Sequence, residues 1–88
     1  MKKIIKFSAP WCSSCRVISP IFDVLKEEYS SKISLEDINV DVTPEIAKKY
    51  GVTSLPTILF LEGEEIVNSH KGALTKTALK QKIEDFIM

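Results

Sequence analysis

Apolar side chains fall into short β-branched or aromatic runs, separated by segments where they recur every third or fourth position. Ile4, Ile5 and Phe7 give bulk to both faces of an extended segment, so Lys2 to Ser8 predicts a strand covered on two sides. Ala9-Pro10 ends it. From Ser13 to Tyr29, the positions Ile18, Ile21, Phe22, Leu25 and Tyr29 make one helical stripe. Pro20 inside that stripe removes one backbone hydrogen bond and predicts a bend. Ile33 to Val40 predicts a second strand, joined to the first by a right-handed crossover. Thr43 then reads as the N-cap of a short helix, with Pro44 at its first position, Ile46, Ala47 and Tyr50 on it and Gly51 just past its end. Leu55 to Leu61 predicts a strand opened by Pro56, Glu62-Gly63 a turn, and Glu64 to Lys71 an antiparallel edge strand. After Gly72, Thr75 caps a last helix with the stripe Leu79, Ile83, Phe86 and Ile87. The predicted order is β-α-β-α-β-β-α, an α/β fold with a four-stranded mixed sheet and helices on both faces. No linker, repeat or low-complexity segment divides it, so residues 1–88 read as one domain.

The two cysteines lie where the first strand turns into the first helix, in Trp11-Cys12-Ser13-Ser14-Cys15-Arg16. Cys12 therefore falls at a helix N-terminus, where free backbone N–H groups and the positive end of the dipole favour a thiolate, the reactive form of cysteine. Cys15 is one turn further along the same face and within disulfide reach. A bridge closing so small a loop adds little as a staple, which points to chemistry rather than scaffolding.

Charge narrows the partners. Twelve basic and twelve acidic side chains cancel, so no global field favours nucleic acid or an anionic membrane. Met1 to Lys6 opens like a secretory leader, but Lys6 interrupts the apolar run and no cleavage site follows, so a cytoplasmic address is expected. His70, on the predicted edge strand, reads as a solvated residue, Tyr29 and Tyr50 as packing residues, and the Glu62-Gly63-Glu64-Glu65 acids as a wet hairpin. Trp11 reads as a half-exposed contact residue.

Trp-Cys-x-x-Cys-Arg in a βαβ setting resembles the active site of the thioredoxin family. The likeness extends to Pro20-Ile21-Phe22-Asp23, to Tyr50-Gly51-Val52-x-Ser54-Leu55-Pro56-Thr57 and to Lys71-Gly72-Ala73-Leu74. It implies a minimal thioredoxin fold lacking the N-terminal strand and helix of longer members. It also implies a cis Leu55–Pro56 bond facing the cysteines and an unpaired Leu55 backbone to which a substrate strand adds. Trp11, Pro56, Gly72 and Ala73 would form an apolar platform round Cys12. The implied reaction is reduction of protein disulfides: Cys12 attacks, a mixed disulfide forms and Cys15 resolves it. Implied partners are disulfide-containing proteins and a thioredoxin-reductase-like electron donor, for a monomer with no cofactor.

Two departures stand out. Thioredoxins usually carry Gly-Pro between the cysteines; Ser13-Ser14 stands here, and hydroxyl donors to a thiolate predict a less reducing couple. Thioredoxins also place a buried Asp six residues before the first cysteine and a Lys on the neighbouring strand; here those positions are Lys6 and Asp37. A swapped Lys6–Asp37 pair beneath Cys15 is expected, with Lys6 stabilising its thiolate and Asp37 relaying a proton; the alternative has Lys6 reaching solvent at the end of the sheet. Three rival functions remain at this level. Glutaredoxin-like exchange with glutathione uses the same core, although the acidic pair typical after its last strand is not seen. Cys12 and Cys15 could supply half of a metal site shared between two chains. The platform could serve a redox-silent binding module.

Overall fold

The computed structural model describes all 88 residues, Met1–Met88. Its elements are β1 (Lys2–Ser8), α1 (Ser13–Glu28), β2 (Ser34–Asn39), α2 (Pro44–Lys49), β3 (Thr57–Glu62), β4 (Glu65–Lys71) and α3 (Lys76–Ile87). The sheet order is β2-β1-β3-β4, with β1 parallel to β2 and antiparallel to β3, and β3 antiparallel to β4.

The side-chain alternation of β1 explains its doubly apolar composition. Ile4 packs with Ile58 and Phe60 of β3 under α1 and α3, whose Ile18, Phe22, Leu25, Leu79 and Ile83 are all fully buried. Ile5 and Phe7 face the other way, and join Leu59, Leu61 and Ala47 of α2 in a second, smaller core. Lys6 shares the Ile4 face, so the register delivers a lysine to the larger core, directly opposite Asp37 on β2. α1 runs unbroken through Pro20 and is tied to α3 at its far end, where the Tyr29 hydroxyl donates to Glu84. That contact holds the phenol pKa up at about 12, through the hydrogen bond first and burial second.

Local departures from the expected pattern have physical causes. Thr43 occupies the N-cap of α2 but makes no side-chain cap bond, because its backbone (φ −131°, ψ 67°) turns the hydroxyl away from the extended capping geometry. Thr75 at φ −73°, ψ 161° does cap α3, accepting from the Ala78 N–H at 3.1 Å. β3 begins at Thr57 rather than Leu55. Pro56 has no N–H for the ladder and instead accepts from the Gly72 N–H at 2.8 Å. Gly72 adopts φ +92°, a left-handed conformation that a β-carbon disfavours, and so turns the chain out of β4. His70 is not a solvated strand residue: it stands opposite fully buried Ile58, is half-buried, and its Nε2 is buried without a hydrogen-bond partner. Its position on β4 points it to the side of the sheet that α1 and α3 cover.

Candidate functional site

β1 ends at Ser8, and Ala9 to Trp11 carry the chain over the top of the sheet into α1, with the Cys12 N–H donating to Ala9 O at 3.2 Å. Cys12 is the N-cap of α1: its backbone is extended (φ −89°, ψ 111°) and its Sγ accepts the Cys15 N–H at 3.2 Å. Sulfur thus fills the role that an oxygen usually takes at a helix start, and a backbone donor together with the dipole is aimed at the atom that must carry charge. The Ser14 hydroxyl lies 3.7 Å from the same sulfur. Cys12 and Cys15 are bonded to each other, with Cα atoms 5.3 Å apart. Cys12 is 7% exposed and Cys15 only 2%, so Cys12 is the more accessible of the pair.

Trp11 is 67% exposed beside this pair. Its indole N–H donates to both carboxylate oxygens of Asp41, at 3.0 and 3.3 Å, and the Asp41 N–H in turn donates to Asn39 Oδ1 at 2.9 Å. The Arg16 guanidinium folds back on Pro10 O at 3.1 Å. On the opposite side, the Leu55–Pro56 bond is cis, and no backbone hydrogen bond outside the helices and strands involves Leu55. Pro56 is itself fully buried, which corrects the expected platform: Trp11 and Ala73 are exposed, Leu55 and Gly72 half-buried, and Pro56 lies beneath the surface. The Thr57 hydroxyl holds this loop by donating to Ser54 O at 2.6 Å.

Beneath α1, at Ser19 and Phe22, lies a charge. Lys6, 3% exposed, brings Nζ to 2.8 Å from Asp37 Oδ1 and donates to Ser19 Oγ at 2.8 Å. Its ammonium also stands over the Phe22 ring, 5.2 Å from the centroid. A lysine snorkelling to solvent is therefore not what the chain builds. Asp37 is 35% exposed and receives a second cation, Lys26, at 3.5 Å. Ser19 follows Cys15 by one helical turn, and both line a cleft of about 430 Å³ together with Arg16, Asp23 and Asn39. Ser19, and the contact of Asp41 with the Trp11 indole, are the parts of the site that the sequence does not announce. Asp41 lies thirty positions from the indole it orients, and Ser19 looks like any polar residue on a helix until Lys6 is placed under it.

The family model for thioredoxin matches residues 1–85. Among curated relatives, the chloroplastic M-type thioredoxin of Pisum sativum is 44% identical over 84 residues, which are 96% of this chain and 49% of the relative. Thioredoxin 1 of Nostoc sp. is 37% identical over 81 residues, 92% of this chain and 76% of the relative. The thioredoxin of Porphyra purpurea is 39% identical over 84 residues, 96% of this chain and 78% of the relative. The chain thus spans about half the length of the pea protein and about three quarters of the other two.

Proposed function

We propose that this chain, which belongs to the thioredoxin family and carries its paired cysteines, reduces disulfides of protein substrates and is restored by a thioredoxin-reductase-like electron donor. The observation that carries this reading is the placement of Cys12 Sγ as the helix cap, accepting the Cys15 N–H. In the reduced protein that site favours a Cys12 thiolate. The thiolate attacks one sulfur of the substrate disulfide. That bond breaks, and one substrate sulfur leaves as a thiolate and takes up a proton. The Cys15 thiolate then attacks Cys12 Sγ, the mixed disulfide breaks, and the second substrate thiol is released. Cys12–Cys15 ends as the disulfide, having given two electrons to the substrate.

Substrate binding falls to the surface round that sulfur. Trp11, Gly72 and Ala73 offer a contact face, and the Leu55 backbone offers unpaired groups that an extended substrate segment can bond whatever its sequence. Pro56 shapes this loop from below. A reducing cytoplasm suits the cycle, because there the pair rests as a dithiol. The chain works in it as a monomer.

The test is reduction of a disulfide-bonded protein by the dithiol form, coupled either to thioredoxin reductase with NADPH or to glutathione with glutathione reductase. Turnover in the first system and little in the second is expected. Turnover with glutathione alone would replace this reading with a glutaredoxin-like one, and full biological activity of a Cys12→Ser/Cys15→Ser variant would replace it with a binding module.

A further inference from the structure

We propose that Ser19 is a positioning residue for the resolving step, passing the charge of the buried Lys6–Asp37 pair to the Cys15 sulfur. The proposal rests on the exchange reading above. Cys15 is 2% exposed, and a thiolate formed there loses the water that would otherwise stabilise it. The backbone N–H that might serve it, its own, is already committed to Cys12 Sγ. The next polar group along the same helix face is Ser19, which shares a cleft with Cys15.

A serine hydroxyl has one proton to donate and two lone pairs to accept with. At Ser19 one lone pair takes the Lys6 N–H at 2.8 Å. The bond from a cation polarises the hydroxyl and strengthens it as a donor. Its own O–H proton is spoken for by no other side chain or backbone oxygen, and so can turn into the cleft toward Cys15. No hydrogen bond joins Ser19 to Cys15 in the disulfide form; once Cys15 is a thiolate, the row runs from the ammonium N–H to Ser19 Oγ and from the Ser19 O–H to Cys15 Sγ. Asp37 holds the ammonium in place. In the step itself the Cys15 thiol loses its proton to solvent in the cleft, the thiolate displaces the substrate sulfur from Cys12, and that departing thiolate takes a proton from solvent. Lys6, Asp37 and Ser19 touch none of the exchanging sulfurs of the substrate, so all three act through Cys15.

Reduced protein is mixed with a chromogenic aryl disulfide, dithionitrobenzoate, in rapid-mixing experiments. Capture by Cys12 releases one aryl thiolate and resolution by Cys15 releases the other, so the two steps are read separately. Ser19→Ala, a change that favours the helix, leaves capture unchanged and slows resolution roughly tenfold near neutral pH, the worth of one charge-assisted hydrogen bond. The gap closes at alkaline pH, where Cys15 ionises without help. Adding Ser19→Ala to Lys6→Met slows resolution by less than Ser19→Ala does in the parent, because the two act in one row. Unchanged resolution, a slowing that is the same at every pH, or additive effects with Lys6→Met would each overturn the role of Ser19. Failure of capture in the parent protein would instead sink the exchange reading on which it stands.

Discussion

Removing one partner of the Lys6–Asp37 pair should cost far more from one side than from the other. Taking away one member of a fully buried ion pair destabilises by about 3–5 kcal/mol, because the survivor is left charged and dry. Which residue survives decides the outcome here. Asp37→Ala leaves Lys6, 3% exposed, with only the Ser19 hydroxyl and the Phe22 ring for company. Those two contacts recover part of the penalty, so a loss of about 2–4 kcal/mol is expected. Lys6→Met leaves Asp37, which is 35% exposed and still has Lys26 at 3.5 Å. That carboxylate can rehydrate while methionine fills the space among Ile4, Phe22 and Ile58, so the change should stay within about 1 kcal/mol of the parent in either direction. Urea titration of the oxidised forms, which holds the disulfide constant, checks this. Asp37→Ala lowers the midpoint by more than about 1 M, and its thermal midpoint by about 8 °C or more. Lys6→Met barely moves either. Equal losses, or a larger loss for Lys6→Met, would refute the claim that burial of the lysine, rather than strength of the pair, sets the energetics.

Other expectations come from contacts elsewhere in the fold. The Tyr29 phenol is pushed from its ordinary 10.0 up to about 12, so its contribution is complete below about pH 10 and lost as pH rises through about 12. The stability advantage of the parent over Tyr29→Phe, followed by urea titration, therefore shrinks across that range; a constant difference would contradict the Glu84 contact. Lys49, held up by Glu64, titrates alike in both proteins and cancels; Lys80, held up by Glu28 first, also feels Glu84, so the comparison is made with Lys80→Met in both. Ser14→Ala removes the hydroxyl beside Cys12 Sγ and makes the couple more reducing by about 30 mV, the equivalent of one weak bond to a thiolate. A titration that moved the potential upward would refute it. Asp41→Ala frees the indole of Trp11, the single tryptophan. Its fluorescence anisotropy should fall and KM for a protein substrate rise several-fold, with capture of a small aryl disulfide unaffected; an unchanged anisotropy would show that Asp41 does not hold the ring.

Where periodicity or spacing carries the information, the chain is transparent. The α1 stripe of Ile18, Phe22 and Leu25 is buried as its spacing requires, and β1 is apolar on two faces because a helix lies on each side of the sheet. The two cysteines are separated by one turn, so their pairing is written locally. Lys6 was legible for a different reason: a charge in the middle of a strand buried on both faces must find a partner, and the parallel register puts Asp37 opposite. What stayed hidden depends on joining distant segments. Asp41 reaches Trp11 only because β2 lies beside β1 and both chains turn at the same end of the sheet. His70 defeated the edge-strand rule, since exposure along β4 says nothing about which residue looks down toward Ile58. The place of Pro56 in a loop facing the cysteines predicts a surface contact, whereas the ring is packed under that loop.

The two sulfurs pose separate electrostatic problems, and the chain answers them with separate means. Cys12 sits at a helix start, where the backbone itself supplies a donor. Cys15 sits behind it in a cleft shared with Arg16, Ser19 and Asp23, and beneath Ser19 two cations, Lys6 and Lys26, face one carboxylate, Asp37. Arg16 and Asp23, which line the same cleft, cancel each other, so Lys6, Lys26 and Asp37 leave one positive charge that a Cys15 thiolate would balance, and the field favours ionisation. The two cations differ in how that field is screened. Lys6 is buried, but the Lys26 side chain is 49% exposed, and salt weakens exposed charges over a Debye length of about 10 Å at 0.1 M. Lys26→Met should therefore slow resolution by no more than about threefold at low salt and not at all near 1 M salt. The slowing caused by Lys6→Met persists at both. Rapid mixing with the aryl disulfide across a salt series separates them, and a Lys26→Met effect indifferent to salt would mean that its ammonium acts through a fixed contact rather than through the field.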